Sequence, residues 1–491
     1  MHNAKTHRRK MLNLAAVAVG LAAGIAISVC LAGEKAKRSP LPKIRIAADG
    51  RTFATADGKP FVPVGVNYYR PGTGWAPQLW KRFDAEATRA DFARMKELGV
   101  TCVRVFLTYG SFFTNEDALE PEGLAKLDRL LDIAEGEGIY IHPTGPDHWE
   151  GSPAWARPDR IADERALRAV ENFWRLFAAR CRGRNVLFAY DLLNEPQVAW
   201  DTPALRTKWN QWLATSYGSA ERAAQQWQVS AQSVRWGDQP PPPPKDAPGD
   251  RQLLDYQHFR EKIADEWTRR QAAAIKSADP QALVTVGLIQ WSVPSLLPGV
   301  QHYAAFRPQR QAKWLDFMEV HFYPLATGFF DYTQAEDEKR NLAYLESVVR
   351  EVAATGRPVI LAEFGWYGGG KLTIDRGVHP AASEQSQARW CLHAVETTEG
   401  LVTGWLNWGF YDHPQAGDVS QLTGLLTADG KSKAWAREFQ ALAGGLSGKS
   451  VAPAHLGPRP ALDWDRCITS LKAGSQFRDE YYKAFKAQTH R

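Results

Sequence analysis

Between Phe61 and Trp408, short apolar runs alternate with segments of helical spacing eight times over. Runs of this kind, bounded by turn residues, read as strands covered on both faces, and strands that alternate with helices build a parallel sheet. They fall at Phe61–Asn67, Thr101–Leu107, Ile139–Thr144, Val186–Pro196, Ala282–Leu288, Asp316–His321, Pro358–Glu363 and Val402–Trp408. The expected class is therefore α/β, a (β/α)8 TIM barrel, with one domain over residues 44–445.

Two of the runs end on a carboxylate. Val186–Pro196 reads Val-Leu-Phe-Ala-Tyr-Asp-Leu-Leu-Asn-Glu-Pro, which carries an apolar stretch up to Asn194 and Glu195, and Pro196 cannot donate a further ladder bond. Pro358–Glu363 ends in the same way, with Phe364 and Gly365 following. Barrel enzymes place their chemistry at the C-terminal ends of the strands, so Glu195 and Glu363 are expected to share one mouth. A single strand-end Glu is commonly a helix cap. Two of them fit the carboxylate pair of a retaining glycosidase, which stands about 5 to 5.5 Å apart. Arg104 lies inside the otherwise apolar second run, where an unpaired charge is costly, and so requires an acidic partner.

Other segments bound what surrounds the barrel. Lys5, Arg8, Arg9 and Lys10 precede an apolar run from Met11 to Ala32 broken only by Asn13 and Ser28, the pattern of an export signal. Residues 1–32 read as a signal peptide cleaved after Ala32 or as an uncleaved membrane anchor, with 33–43 a linker and a periplasmic or extracellular location. Without those four basic residues the formal charge of +6 falls to about +2, which gives no reason to expect a nucleic-acid partner. Beyond Cys30, the scattered Cys102, Cys181, Cys391 and Cys467 lack CxxC spacing, which argues against zinc and leaves one disulfide open. Ile44–Gly58, with two Asp-Gly turns, reads as a hairpin covering the barrel's bottom. Trp200–Gly249, ending in Pro240–Pro244, reads as a helical insertion after the fourth strand lying over the cleft, and 446–491 as a wrap-around tail. Most of the 19 Trp belong to the core, yet a Trp-rich cleft suits a carbohydrate, because sugar rings stack on aromatic faces.

Taken in order, Asn194-Glu195-Pro196, His321-Phe322-Tyr323-Pro324, Glu363-Phe364-Gly365 and Trp408 resemble the motifs of the clan of retaining β-glycosidases built on (β/α)8 barrels. The likeness is closest to glycoside hydrolase family 5, the cellulase and β-mannanase family, and extends over Phe61–Leu442. The stretch around Trp212, Tyr217-Gly218 and Trp227 looks like a helical feature of family 42 β-galactosidases in the same clan. The resemblance implies Glu195 as general acid/base and Glu363 as nucleophile, with Arg104 the cation beside Glu363 and Tyr323 its hydrogen-bond donor. It further implies that Asn194 contacts the sugar 2-hydroxyl, that His321 orders the Glu195 side, and that Trp408 is the platform under the sugar. A histidine is also implied at the end of the third strand, where both His142 and His148 are available and His148, in the following loop, is favoured. Asn67, Trp149, Trp291 and Trp366 are further candidates for the cleft wall.

The expected activity is hydrolysis of a β-linked poly- or oligosaccharide, of β-mannan or β-glucan type, by double displacement in a monomer, with no metal or cofactor. Two alternatives keep the same residues: a β-galactosidase-like exo-enzyme and a transglycosylase. A third, a non-catalytic glycan-binding barrel, predicts the loss of a catalytic carboxylate, and both are present.

Overall fold

Burial on both faces is what makes the apolar runs strands: Cys102–Thr108, Val284–Ile289 and Val359–Phe364 are buried at every position. The computed structural model describes residues 40–73, 76–147, 151–196, 198–295, 303–324, 332, 334–374, 379–451 and 457–489. The segment read as a signal or anchor, 1–32, lies outside them. Among the described residues, no helix is long and apolar enough to cross a membrane.

The strands Val64–Asn67, Cys102–Thr108, Tyr140–Asp147, Tyr190–Asn194, Val284–Ile289, Met318–Phe322, Val359–Phe364 and Trp405–Asn407 pair in parallel in chain order. The last closes onto the first, with Trp405 opposite Val64. Helices between them each bury one stripe. Asp163 caps Glu164–Cys181 by accepting from the N–H groups of Arg165 and Ala166, and the helix turns Leu167, Val170, Phe173, Trp174 and Phe177 inward.

The N-terminal hairpin is a three-stranded antiparallel sheet, Ile44–Ile46, Phe53–Thr55 and Pro60–Phe61, because both Asp-Gly signals make turns. Its Ile44 and Phe53 cluster with Phe188, Leu283, Phe317, Ile360 and Leu406 from the N-terminal ends of the strands and their approaches. Phe53 meets Phe188 and Phe317 edge-on at 5.2 and 5.3 Å. The bottom is thus plugged with aromatic rings, and only the other end is free to hold a ligand. That packing also explains why the fourth strand is shorter than its apolar run: Phe188 belongs to the floor, and Leu187 makes only an isolated bridge to Ile141.

Above the floor the barrel interior is charged. His142 Nε2 lies 2.6 Å from Glu319 Oε1 and its Nδ1 lies 3.1 Å from the Ala189 carbonyl, two acceptors that together call for a doubly protonated ring. Burial works against that charge, but Glu319 outweighs it and raises the His142 pKa above 6.5. A histidine that holds its proton more tightly when folded gives stability that is complete below the unfolded pKa and lost as pH rises through the folded one. The melting temperature is therefore expected to fall as pH rises from near 6.5 upward. In Glu319→Gln that alkaline loss should be absent, although the variant melts lower at about pH 6. Parallel melting profiles for the two proteins would exclude the pair as its source.

Two outer segments complete the barrel. The insertion folds as helices Pro203–Tyr217 and Ala220–Trp227, which pack on the first turns of the helix Arg251–Ala278. Trp209 meets Tyr256 at 5.3 Å, and the Trp227 indole donates to Asp255 at 2.7 Å. These two tryptophans are buried packing residues, because the long helix offers them an apolar face and a carboxylate. The tail, with helices Trp464–Thr469 and Leu471–Thr489, returns to the helix Ala335–Ala353. There Arg459 and Tyr481 donate to Glu346 at 2.7 and 2.9 Å, and Trp464 donates to Glu351 at 2.9 Å. Cys102, Cys181, Cys391 and Cys467 are all buried free thiols.

Candidate active site

The fourth strand delivers three polar residues to the axis: Asp191, Asn194 and, one position beyond its end, Glu195. The Glu195 backbone N–H donates to the Gly287 carbonyl at 2.9 Å, which carries the pairing with the fifth strand one residue further. There the chain turns into the left-handed region, φ 40, a costly conformation for a side chain other than glycine, and the following Pro196 adds no donor. The seventh strand brings Glu363, with its side chain 4% exposed, and the sixth brings His321 and then Tyr323.

One oxygen of Glu195, one of Glu363 and a ring nitrogen of His321 all lie within 4.8 Å of one another. His321 Nδ1 stands between the acids, 3.1 Å from Glu195 Oε1 and 3.4 Å from Glu363 Oε1. Burial lowers the His321 pKa below 6.5, so the ring is neutral and its one proton belongs on Nδ1, facing two acceptors.

Each Glu363 oxygen has its own donor. Arg104 Nη1 donates to Oε1 at 2.6 Å, and the Tyr323 hydroxyl donates to Oε2 at 2.9 Å. Burial raises the Glu363 pKa, while His321, Arg104 and the Tyr323 bond pull it down. The Arg104 guanidinium is itself fully buried; burial pulls its pKa down, but Asp191 and Glu363 more than compensate and it is raised. Arg104 Nη1 also donates to Asn67 Oδ1 at 2.9 Å, and Nη2 donates to Asp191 Oδ2 at 2.7 Å and to Asn194 Oδ1 at 2.8 Å. The acidic partner that Arg104 requires is thus double, Asp191 below and Glu363 above. A cation placed among Glu195, His321 and Glu363 would meet this fixed positive charge on the same Glu363 oxygen.

Trp408 follows the eighth strand and joins the site from the side. Its backbone N–H donates to the Phe364 carbonyl at 2.8 Å and its indole to Ser420 Oγ at 2.8 Å. Its ring meets Phe106 edge-on at 5.8 Å, and Phe106 in turn lies under the Arg104 guanidinium.

Six of the residues singled out in the sequence, Arg104, Asn194, Glu195, His321, Tyr323 and Glu363, therefore meet in one network, with Trp408 beside it. His148 and Trp149 lie outside the described residues. His142 is in the interior below the site, paired with Glu319. Of the candidates for the cleft wall, Asn67 is a buried support for Arg104, and Trp366 is buried against Tyr367 and His379, so both are packing residues.

The sequence reading passed over Asp191 and Gly287. Asp191 accepts from Arg104, from the Thr144 hydroxyl and, at 2.7 Å, from the Gly287 N–H. A Cβ on Gly287 would stand 3.0 Å from Arg104 Nη2 and from Asp191 Oδ2, and 3.1 Å from His321 Nε2. A lone glycine in a strand, as in Val-Thr-Val-Gly-Leu-Ile, is the signal for such a close approach. Gly287→Ala is expected to cost about 1 to 3 kcal/mol of stability and to lower turnover at least about tenfold by displacing Arg104. Denaturant titration and steady-state kinetics measure both; wild-type values in each would mean that the interior has room to spare.

Comparisons with known proteins point one way. A family model described as cellulase (glycosyl hydrolase family 5) matches residues 55–413. A β-xylosidase of Phanerodontia chrysosporium is 32% identical over 124 residues, 23% of this chain and 26% of that protein, so the chain spans about a quarter of this curated relative's length. Among solved structures, the exo-β-1,4-mannosidase Op5Man5 from Opitutaceae bacterium strain TAV5 aligns with TM-score 0.59 at 19% identity, over 84% of this chain and 64% of that one. A GH5_18 variant from Streptomyces cattleya in complex with Manβ1-4GlcNAc aligns with TM-score 0.61 at 20% identity, over 88% and 93%.

Proposed function

The chain belongs to the cellulase family, glycosyl hydrolase family 5, and from that premise we propose that it is a retaining β-glycoside hydrolase acting on a β-linked poly- or oligosaccharide of mannan or glucan type. The observation that carries the proposal is the closeness of the two acids: one oxygen of Glu195 lies within 4.8 Å of one oxygen of Glu363, a short separation of the kind direct attack by one carboxylate requires. Inverting enzymes keep the pair roughly 6.5 to 9.5 Å apart to admit a water, whereas nucleophilic attack needs about 5 to 5.5 Å.

The roles follow from the surroundings. Glu363, clamped by a guanidinium and a phenol, attacks the anomeric carbon as the carboxylate. Glu195, at the mouth with its side chain 19% exposed, gives its proton to the leaving oxygen. Forming the glycosyl ester neutralises Glu363, which removes a negative charge near Glu195 and favours its ionised form, ready to take a proton from water. Water then attacks the same carbon and frees Glu363. Asn194, with Oδ1 held by Arg104, has its amide nitrogen to give to the sugar 2-hydroxyl, and neutral His321 orients Glu195. Arg104 and Asp191 cancel, so ionised Glu363 gives the site a net negative charge facing the cationic transition state.

The test is a panel of aryl β-glycosides with β-mannan, β-glucan and galactan polymers, β-mannosides first because the fold's relatives include a mannosidase and a Manβ1-4GlcNAc complex. Cleavage of none of these would leave the proposal without a substrate. Products formed with an added acceptor sugar separate hydrolysis from transglycosylation, which the same residues would serve. Export, by a cleaved leader or an anchor, is proposed on Lys5, Arg8, Arg9, Lys10 and the apolar run after them; cell fractionation that leaves the protein in the cytoplasm contradicts it.

A further inference from the structure

Tyr323 is the first residue beyond the sixth strand, Met318–Phe322, so its peptide groups have left the ladder just where its ring must be aimed. Gln290 is the first residue beyond the fifth strand, whose last partner in the sixth is His321 opposite Ile289. The Gln290 side chain is 1% exposed and grips Tyr323 at two points. Its Oε1 accepts from the Tyr323 N–H at 2.7 Å, and its Nε2 donates to the Tyr323 carbonyl at 3.1 Å. A side-chain amide thereby supplies the rung that the backbone no longer does, and bonds to the two peptide groups that flank the Tyr323 Cα fix the direction in which its ring leaves the chain. That direction ends on the nucleophile, with the hydroxyl 2.9 Å from Glu363 Oε2.

We propose that Gln290 is the positioning residue for Tyr323, holding its hydroxyl on Glu363; the proposal rests on the retaining reading above. The two amide hydrogen bonds of Gln290 run to Tyr323 and not to either acid, so it acts on Glu363 through Tyr323. Without the grip the phenol is free to turn away, leaving one oxygen of the nucleophile without its donor as charge develops and recedes during the two displacements. Ground-state binding of the sugar is not served by this bond, so the effect belongs in turnover more than in KM.

Gln290→Met keeps the length of the side chain and removes both amide bonds. The expected result is a fall in kcat of roughly ten- to a hundredfold, the rate equivalent of one hydrogen bond to a charged group, with KM near wild type. Made in a Tyr323→Phe background, the same substitution should change kcat no further. A loss of equal size in both backgrounds, or none in either, overturns the assignment. If Gln290→Met does not fold, Gln290→Glu, which keeps the acceptor and loses the donor, is subject to the same two outcomes. Should Glu363→Ala and Tyr323→Phe both leave turnover untouched, the retaining reading fails instead. A crystal structure of Gln290→Met then still decides the positioning claim, because a Tyr323 hydroxyl that keeps its bond to Glu363 refutes it.

Discussion

Glu363→Ala is expected to abolish turnover, with a loss on the order of 10⁵-fold, the scale on which enzymes lose activity when a covalent nucleophile is removed. The carboxylate is held at both oxygens and buried, so no neighbouring group stands where it stands; His321 lies 3.4 Å from its Oε1 and Glu195 across the gap. A mechanism-based 2-fluoro glycoside should label the wild type at Glu363 and leave the variant unlabelled. The pH dependence gives the same residue a second signature. Burial raises the Glu363 pKa, and only the ionised form attacks, so kcat/KM should fall on the acid side as pH drops through a value above 4.5. An acid limb below 4.5 would mean that Arg104, His321 and Tyr323 together outweigh burial.

The second large effect is expected at Glu195 and depends on the leaving group. With a sugar leaving group, Glu195→Ala removes the proton donor, and a loss of about 10²- to 10⁴-fold is expected. A nitrophenol departs without that proton, so the first displacement survives while the second, which needs a base for water, slows. A burst of nitrophenol should precede a slow steady rate. Azide needs no base; added to the variant, it should attack the anomeric carbon, release Glu363 and yield a β-glycosyl azide. An equal loss on all substrates with no azide effect would remove Glu195 from the acid/base role.

Much of this was legible because barrel architecture is written locally. Each apolar run between turn residues became a strand, and the two acids sit at strand ends, Glu195 just before Pro196, which has no donor, and Glu363 one residue before Phe364, the last to pair. The demand of Arg104 for an acid was also readable, since a charge in a buried strand is costly wherever it occurs. Which acids answer it was not. Asp191 and Glu363 lie 87 and 259 residues away, and only closure of the sheet brings them to one guanidinium. His142 and Glu319, 177 residues apart, were hidden for the same reason. The packing of the insertion was hidden on a different ground: an amphipathic Trp-rich helix looks alike whether its rings face a ligand or the neighbouring helix, and here Tyr256, Phe259 and Asp255 take Trp209 and Trp227. The Gln290 grip was out of reach because a glutamine after a strand carries no pattern until its partner is known.

Everything turns on whether one sugar carbon is attacked twice from opposite faces within a gap as narrow as that between Glu195 and Glu363. The proton NMR spectrum of the first product formed from a cleaved β-glycoside, recorded before mutarotation, decides it. The account predicts the β-anomer; the α-anomer would mean a single displacement by water and would contradict the nucleophilic role of Glu363.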